Sequence, residues 1–168
     1  MELVTRSVLV GIGATLILDA WNVLQKRAFA AQTPDWGLVG RWFGHLPTGR
    51  FIHDSIAKAA PIRGERSIGW AAHYAIGVGL ATIALALFGL SWARHPSFLP
   101  ALAFGVATVV APFFILQPGM GAGIAASKTS NPTKARLRSL VTHTVFGVGL
   151  YLAALAQAAV LPQGVDLT

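Results

Sequence analysis

The chain has 168 residues and a mass of 17.6 kDa, which is one domain by length. Residues of the set AVILMFWYC make up 54%, charged residues 11%, and mean hydropathy is +0.61; a soluble domain carries about 25% charge to cover its surface, so the soluble, disordered and fibrous classes are excluded in favour of an all-α integral membrane protein. With no cysteine, disulfides, zinc–thiolate sites and iron–sulfur clusters are excluded as well.

A hydrocarbon core of about 30 Å needs roughly 20 apolar residues in a helix, and four stretches reach that length, near Thr5–Leu24, Ser67–Leu90, Pro100–Leu116 and Leu140–Val160. After the first, Ala28-Phe29-Ala30 has the small-x-small look of a cleavage site. However, Lys26 and Arg27 follow the apolar run, the reverse of a secretory signal. The stretch is read as a span.

Between spans one and two, residues 25–66 carry their own helical patterning. Thr33-Pro34-Asp35 predicts a helix start with Thr33 as hydroxyl cap and proline in the first turn. Trp36, Val39, Trp42 and Phe43 recur at helical spacing up to Gly44. A second helix is expected from Thr48, with Phe51, Ile52, Ser55 and Ala59 on one side and Arg50, Asp54 and Lys58 laddered on the other. Both read as short amphipathic helices on the membrane surface, with plain aromatic-anchored connectors as the simpler alternative.

Span three ends in Gln117-Pro118-Gly119-Met120-Gly121-Ala122-Gly123, followed by Lys128-Thr129. A phosphate loop needs glycine directly before the lysine and a strand before the loop; both are missing. The segment 117–139 reads instead as a loop that is either unwound at the mouth of the bundle, where irregular backbone is tolerated beside water or protein, or an ordinary turn.

Basic residues set the expected topology. Lys26, Arg27, Arg41, Arg50, Lys58, Arg63 and Arg66 lie between spans one and two, and Lys128, Lys134, Arg136 and Arg138 between spans three and four, against Arg6 and Arg94 on the other side. The positive-inside rule then places segments 25–66 and 117–139 in the cytoplasm and both termini in the periplasm of an inner membrane. The net charge of +7 thus follows membrane boundaries. It is not the basic-aromatic stripe of a nucleic-acid binder, and the bilayer is the expected partner.

Spans two and four repeat each other. At an offset of seventy, Arg66 aligns with Arg136, His73 with His143, Gly77-Val78-Gly79-Leu80 with Gly147-Val148-Gly149-Leu150, and Ala84-Leu85-Ala86 with Ala154-Leu155-Ala156. Span one carries Gly11-Ile12-Gly13-Ala14-Thr15, and span three a looser Gly105-Val106-Ala107-Thr108. These matches predict a duplicated two-helix hairpin whose copies share an orientation, related by an axis along the membrane normal. Gly77, Gly79, Gly147 and Gly149 are the expected close-packing positions.

An ionisable residue inside a span costs about 2.5–3.5 kcal/mol on insertion scales and normally faces the bundle interior. Asp19, His73 and His143 are such residues at similar expected depth, with Thr15, Asn22, Tyr74 and Gln117 as supporting polar groups. Three readings of this cluster compete: an interhelical hydrogen bond, a proton or ion relay, and a metal or haem site with Asp19, His73 and His143 as ligands. No cofactor is required by the sequence, and there is no C-x-x-C-H haem attachment motif. Four spans of small residues enclose little volume, so a transport path would suit a homo-oligomer.

The strings Asp19-Ala20-Trp21, Gly49-Arg50, Trp70-Ala71-Ala72-His73-Tyr74, Gln117-Pro118-Gly119-Met120-Gly121 and His143-Thr144-Val145-Phe146-Gly147 together resemble an uncharacterised family of small bacterial inner-membrane proteins, domain of unknown function 2938, over roughly Val8 to Ala159. The resemblance implies a multi-pass membrane protein and brings no activity, ligand or catalytic residue with it. The leading functional expectation is transport or proton-coupled handling of a small solute or ion. A metal- or haem-dependent membrane redox enzyme and a non-catalytic membrane scaffold are the alternatives.

Overall fold

Backbone polar groups that leave water must find partners within their own segment, so long apolar runs become helices. A computed structural model describes residues 1–31 and 33–161, all helix and loop with no strand among them. The long helices are α1 (Glu2–Phe29), α3 (Glu65–Arg94), α4 (Phe98–Gly119) and α5 (Pro132–Val160). Each is long and apolar enough to cross a membrane. A short α2 (Trp36–His45) lies between the first two of them. All four long helices extend beyond the apolar stretches read from sequence, because the flanking polar turns continue the same backbone ladder.

Helix α1 packs between α3 and α5, and α5 between α1 and α4. The core is made of small and aliphatic side chains, among them Val10, Ala14, Ala81, Leu85, Leu150 and Ala154. Leu16, Leu87, Val110 and Ile115 stay exposed, as expected of faces turned to lipid. Close approach depends on glycine. A Cβ at Gly11 would come within 2.5 Å of Val78 Cα, one at Gly147 within 2.9 Å of the Ala101 carbonyl, and one at Gly149 within 3.0 Å of the Ala14 carbonyl. Gly77 faces the Thr15 hydroxyl. Gly79 departs from the expectation: it is exposed and a Cβ there would meet nothing within 4 Å, because it points away from the α1 contact that its neighbour Gly77 makes.

Two helices are irregular. Gly89, with φ 82° and ψ 165°, breaks α3 one turn before its end. In α4, Pro112 has no N–H to give the Thr108 carbonyl, which is bonded by Ala111 N at 3.1 Å instead. The ladder then passes through a π-turn over Pro112–Leu116.

The intervening segment corrects two expectations. Asp35, not Thr33, caps α2, its Oδ1 accepting from Gly37 N at 2.8 Å and Leu38 N at 3.3 Å; a carboxylate at this position outcompetes the hydroxyl two residues earlier. The second amphipathic helix does not form. Gly49 adopts φ 75°, Thr48 donates back to the His45 carbonyl at 2.7 Å, and the chain runs on as a strap with only a single turn at Ile56–Lys58. Residues 51–55 therefore share no helical side, and Arg50, Asp54 and Lys58 form no ladder.

That strap is bonded to the glycine-rich loop. His53 N donates to the Gly119 carbonyl at 2.9 Å and Ile56 N to the Met120 carbonyl at 3.0 Å. Trp42 Nε1 donates to the Phe51 carbonyl at 3.0 Å, and a Cβ at Gly119 would lie 2.5 Å from that indole nitrogen. Gly121 and Gly123 have φ of 91° and 76°, positions that L side chains rarely adopt. Lys128 N closes the loop on the Ala122 carbonyl at 2.9 Å. The result is a compact loop with internal bonds.

Candidate functional site

The site begins where α2 lies across the first turns of α3. Gly40 and Gly69 bring the two backbones together: a methyl group on Gly40 would run into the Glu65 carbonyl, and one on Gly69 into the Trp36 carbonyl. Arg41 locks the pair. Its Nε and Nη2 donate to the two Glu65 oxygens at 2.8 and 2.9 Å, and its Nη1 donates to the carbonyls of Ile56, Ala57 and Ala59 at 3.2–3.3 Å. Glu65 also accepts from Ile62 N at 3.1 Å. The hydrogen-bonded carboxylate raises the guanidinium pKa above its usual range. From the sequence, Arg41 counts only as one topological charge; here it fastens strap, α2 and α3 together.

This docking places Trp36 over His73, with ring centroids 4.0 Å apart and planes at 31°. Trp70 meets the same imidazole edge-on at 5.7 Å and 67°. Trp70, His73 and Tyr74 fall at i, i+3 and i+4 on α3, one helix face. That spacing is a signal available in the sequence for the aromatic cage.

His73, 9% exposed, donates from Nε2 to Asp19 Oδ1 at 3.0 Å. Tyr74 Oη donates to Asp19 Oδ2 at 3.0 Å. Each carboxylate oxygen thus has its own donor from α3. The Asp19 side chain keeps 19% of its surface exposed and lines a cleft of about 590 Å3 at the basic end of the bundle, together with Asn22, Lys26, Trp36, Arg66 and Trp70. Asp35 and Glu65 line it too. Thr15, one turn deeper, donates to the Gly11 carbonyl at 2.8 Å and seats against Gly77.

His143 has a different partner. Thr108 Oγ1 lies 2.6 Å from the Gly105 carbonyl and 2.7 Å from His143 Nδ1. The carbonyl can only accept, so the hydroxyl proton goes there and Nδ1–H of His143 donates to the hydroxyl oxygen. Asp19, His73 and His143 do not come together: among the described residues no group of three His, Cys, Asp or Glu is placed to hold a metal. The reason is the order of packing. Asp19 on α1 faces α3, whereas His143 on α5 faces the irregular turn of α4. Gln117, another of the expected supporting polar groups, donates to Ser139 Oγ at 3.1 Å, fastening α4 to α5.

A second polar group, at the opposite end, is not visible in the sequence. Arg6, 1% exposed, donates from Nε to Glu2 at 2.9 Å and from Nη1 to Gln157 Oε1 at 2.6 Å. Arg94 donates to both Glu2 oxygens at 3.2 and 3.1 Å. Gln157 Nε2 donates to the Ala93 and Ala154 carbonyls. α1, α3 and α5 are thereby tied together at that end.

No match is found among curated proteins or among solved structures. The model of the family described as protein of unknown function DUF2938 matches residues 8–157, nearly the whole bundle with both histidine sites, and the chain belongs to that family.

Proposed function

We propose that this is an inner-membrane protein that handles a small solute or ion in a proton-coupled manner through Asp19, His73 and Tyr74. One observation carries the reading: a carboxylate oriented by two donors at 3.0 Å remains partly open to a cleft of about 590 Å3. A carboxylate buried only as structural glue has no need of a cleft beside it. In the resting pair, neutral His73 donates a hydrogen bond from Nε2–H to the Asp19 carboxylate, and Nδ1 is the position that takes a second proton. Trp36, stacked at 4.0 Å, offers its π face to the imidazolium so formed. Taking up that proton changes the charge of the cleft by one unit, which is how solute binding and protonation become linked.

The charge bias of the basic segments supports a cytoplasmic position for the cleft. Reporter fusions after Arg27 and Lys134 are expected to read cytoplasmic and one after Trp92 periplasmic; opposite labelling at two of these sites overturns the orientation. A duplicated hairpin is supported by a shared pattern, in which the histidine of the second helix bonds a polar side chain of the first: His73 with Asp19, and His143 with Thr108. The second site lacks a carboxylate, and so the proton-handling role falls to the first. A homo-oligomer would supply the path that one bundle of small residues lacks.

The test uses proteoliposomes loaded with a pH-sensitive dye and exposed to a protein-free extract of cellular small molecules. Native protein is expected to acidify the lumen faster than empty liposomes do. Asp19→Asn, inserted to the same level, should fall to the empty-liposome rate. Equal rates for native protein and Asp19→Asn overturn the proposal.

A further inference from the structure

Three carboxylates and two exposed cations line the cleft, and they differ in what they already hold. Asp19 is bonded to His73 and Tyr74. Asp35 caps α2. Glu65 is clamped by Arg41 and by the Ile62 amide. Lys26 on α1 and Arg66 on α3 line the same cleft, and neither takes part in an ion pair among the described residues. Arg138 of α5 borders an adjoining hollow that shares Asn22, Thr33 and Pro34 with the cleft, and it too is in no such ion pair.

Formal charges show what the space can accept. Glu65 and Arg41 cancel. Asp19 and His73 cancel once the pair has taken its proton. Asp35 sits at the N-terminus of α2, where the helix dipole favours a negative charge. Lys26 and Arg66 then leave the cleft with one net positive charge. The lining also holds two indoles, Trp36 and Trp70, 5.4 Å apart by ring centroid and tilted 43°. Trp70 keeps 36% of its surface exposed, so its ring is open to a ligand. A volume of this size accepts a small organic molecule.

We infer that the cleft binds an amphipathic anion, a carboxylate or phosphate carrying a flat apolar body, with Lys26 and Arg66 holding the head group and Trp36 and Trp70 the body. The inference rests on the reading of this cleft as the solute site, and it gives the coupling a sense. Protonating the Asp19–His73 pair removes the negative charge that would repel the anion, so proton and anion enter together as a neutral pair. A free solute and the head group of an anionic lipid share this chemistry.

The experiment is calorimetric titration of the full chain, in neutral detergent, with phenylacetate, phenethylamine and 2-phenylethanol, which share a ring and differ in the charge of the head. Phenylacetate is expected to bind most tightly. Replacing both cations, Lys26→Gln with Arg66→Gln, should weaken it about tenfold, the effect of losing two exposed ion pairs. Equal binding of the three probes, tighter binding of phenethylamine, or unweakened phenylacetate binding by the double variant overturns the inference. Should that variant fail to accumulate, the probe series on unaltered protein decides alone.

Repeating the titration in buffers of different ionisation enthalpy counts protons and separates the two ideas. Phenylacetate binding with no proton taken up supports the anion site and sinks the proton-coupled reading. Proton uptake on phenethylamine binding does the reverse. Nanodiscs of phosphatidylcholine and of phosphatidylglycerol then distinguish the sources. Phenylacetate binding lost only in phosphatidylglycerol assigns the site to a lipid head group, and equal binding in both assigns it to a free solute; each supports an anion site.

Discussion

Gly105→Leu is expected to separate α4 from α5 and cost about 3 kcal/mol or more of bundle stability, at the upper end of overpacking penalties. A Cβ at position 105 would stand 2.5 Å from Gly147 N and 2.9 Å from the His143 carbonyl. These are backbone atoms and cannot swing aside as a flexible side chain can. The same shift would pull Thr108 off His143, since the two are joined across this contact at 2.7 Å. Titration with a denaturing detergent, followed by circular dichroism, measures the loss. Gly79→Leu is the control: with nothing within 4 Å of its Cβ, it should change stability by no more than about 0.5 kcal/mol. Two variants of similar stability would mean that the glycine contact does not hold the helices together.

Gln157→Leu is expected to cost about 3 kcal/mol, the range for a hydrogen bond to a charged group together with the penalty for buried polar atoms left unmet. The amide oxygen accepts from Arg6 at 2.6 Å, and the amide nitrogen serves the Ala93 and Ala154 carbonyls. Leucine fills the space and supplies none of these bonds. Combining Gln157→Leu with Arg6→Met should recover part of the loss, because removing a buried charge together with its partner costs less than stranding it. The same detergent titration on the four proteins of the cycle gives the coupling directly. Additive losses would show that Arg6 and Gln157 act independently.

The spans are legible in the sequence because each holds a long apolar run, a signal that needs no knowledge of neighbours. Asp19 and His73 are legible for a related reason: charge is rare in such runs. Their pairing is not, nor is the exclusion of His143. Both histidines sit at equivalent places in a repeated string, and only the order of packing, α3 beside α1 beside α5 beside α4, gives Asp19 to one and Thr108 to the other. Arg6 and Gln157 lie 151 residues apart, and no local pattern connects them. The strap at 51–55 misleads because its side chains recur at helical spacing. Gly49 has already turned the chain, and the carbonyls of Gly119 and Met120, far along the sequence, take the amide bonds a helix would have used. In the aromatic cage, Trp70, His73 and Tyr74 share a face by spacing alone, but the stacking of Trp36 depends on the Gly40–Gly69 contact.

The placement of α1 between α3 and α5 has a consequence for how the chain is made. Helix α1, made before the other four described helices, owes one of its two long interfaces to α5, made after them. At synthesis rates of about 5–20 residues per second, the 151 residues separating Arg6 from Gln157 correspond to roughly 8–30 seconds. Through that interval Arg6 has Glu2, one turn away, as a local partner, and the flank that will receive α5 is covered by lipid or by the insertion machinery. Helices α1 and α3 can already associate, whereas the final arrangement waits for α5. Premature termination between α3 and residue 132 would thus leave a half-assembled bundle in which the α5 flank of α1 stays unpacked, a natural mark for membrane proteases.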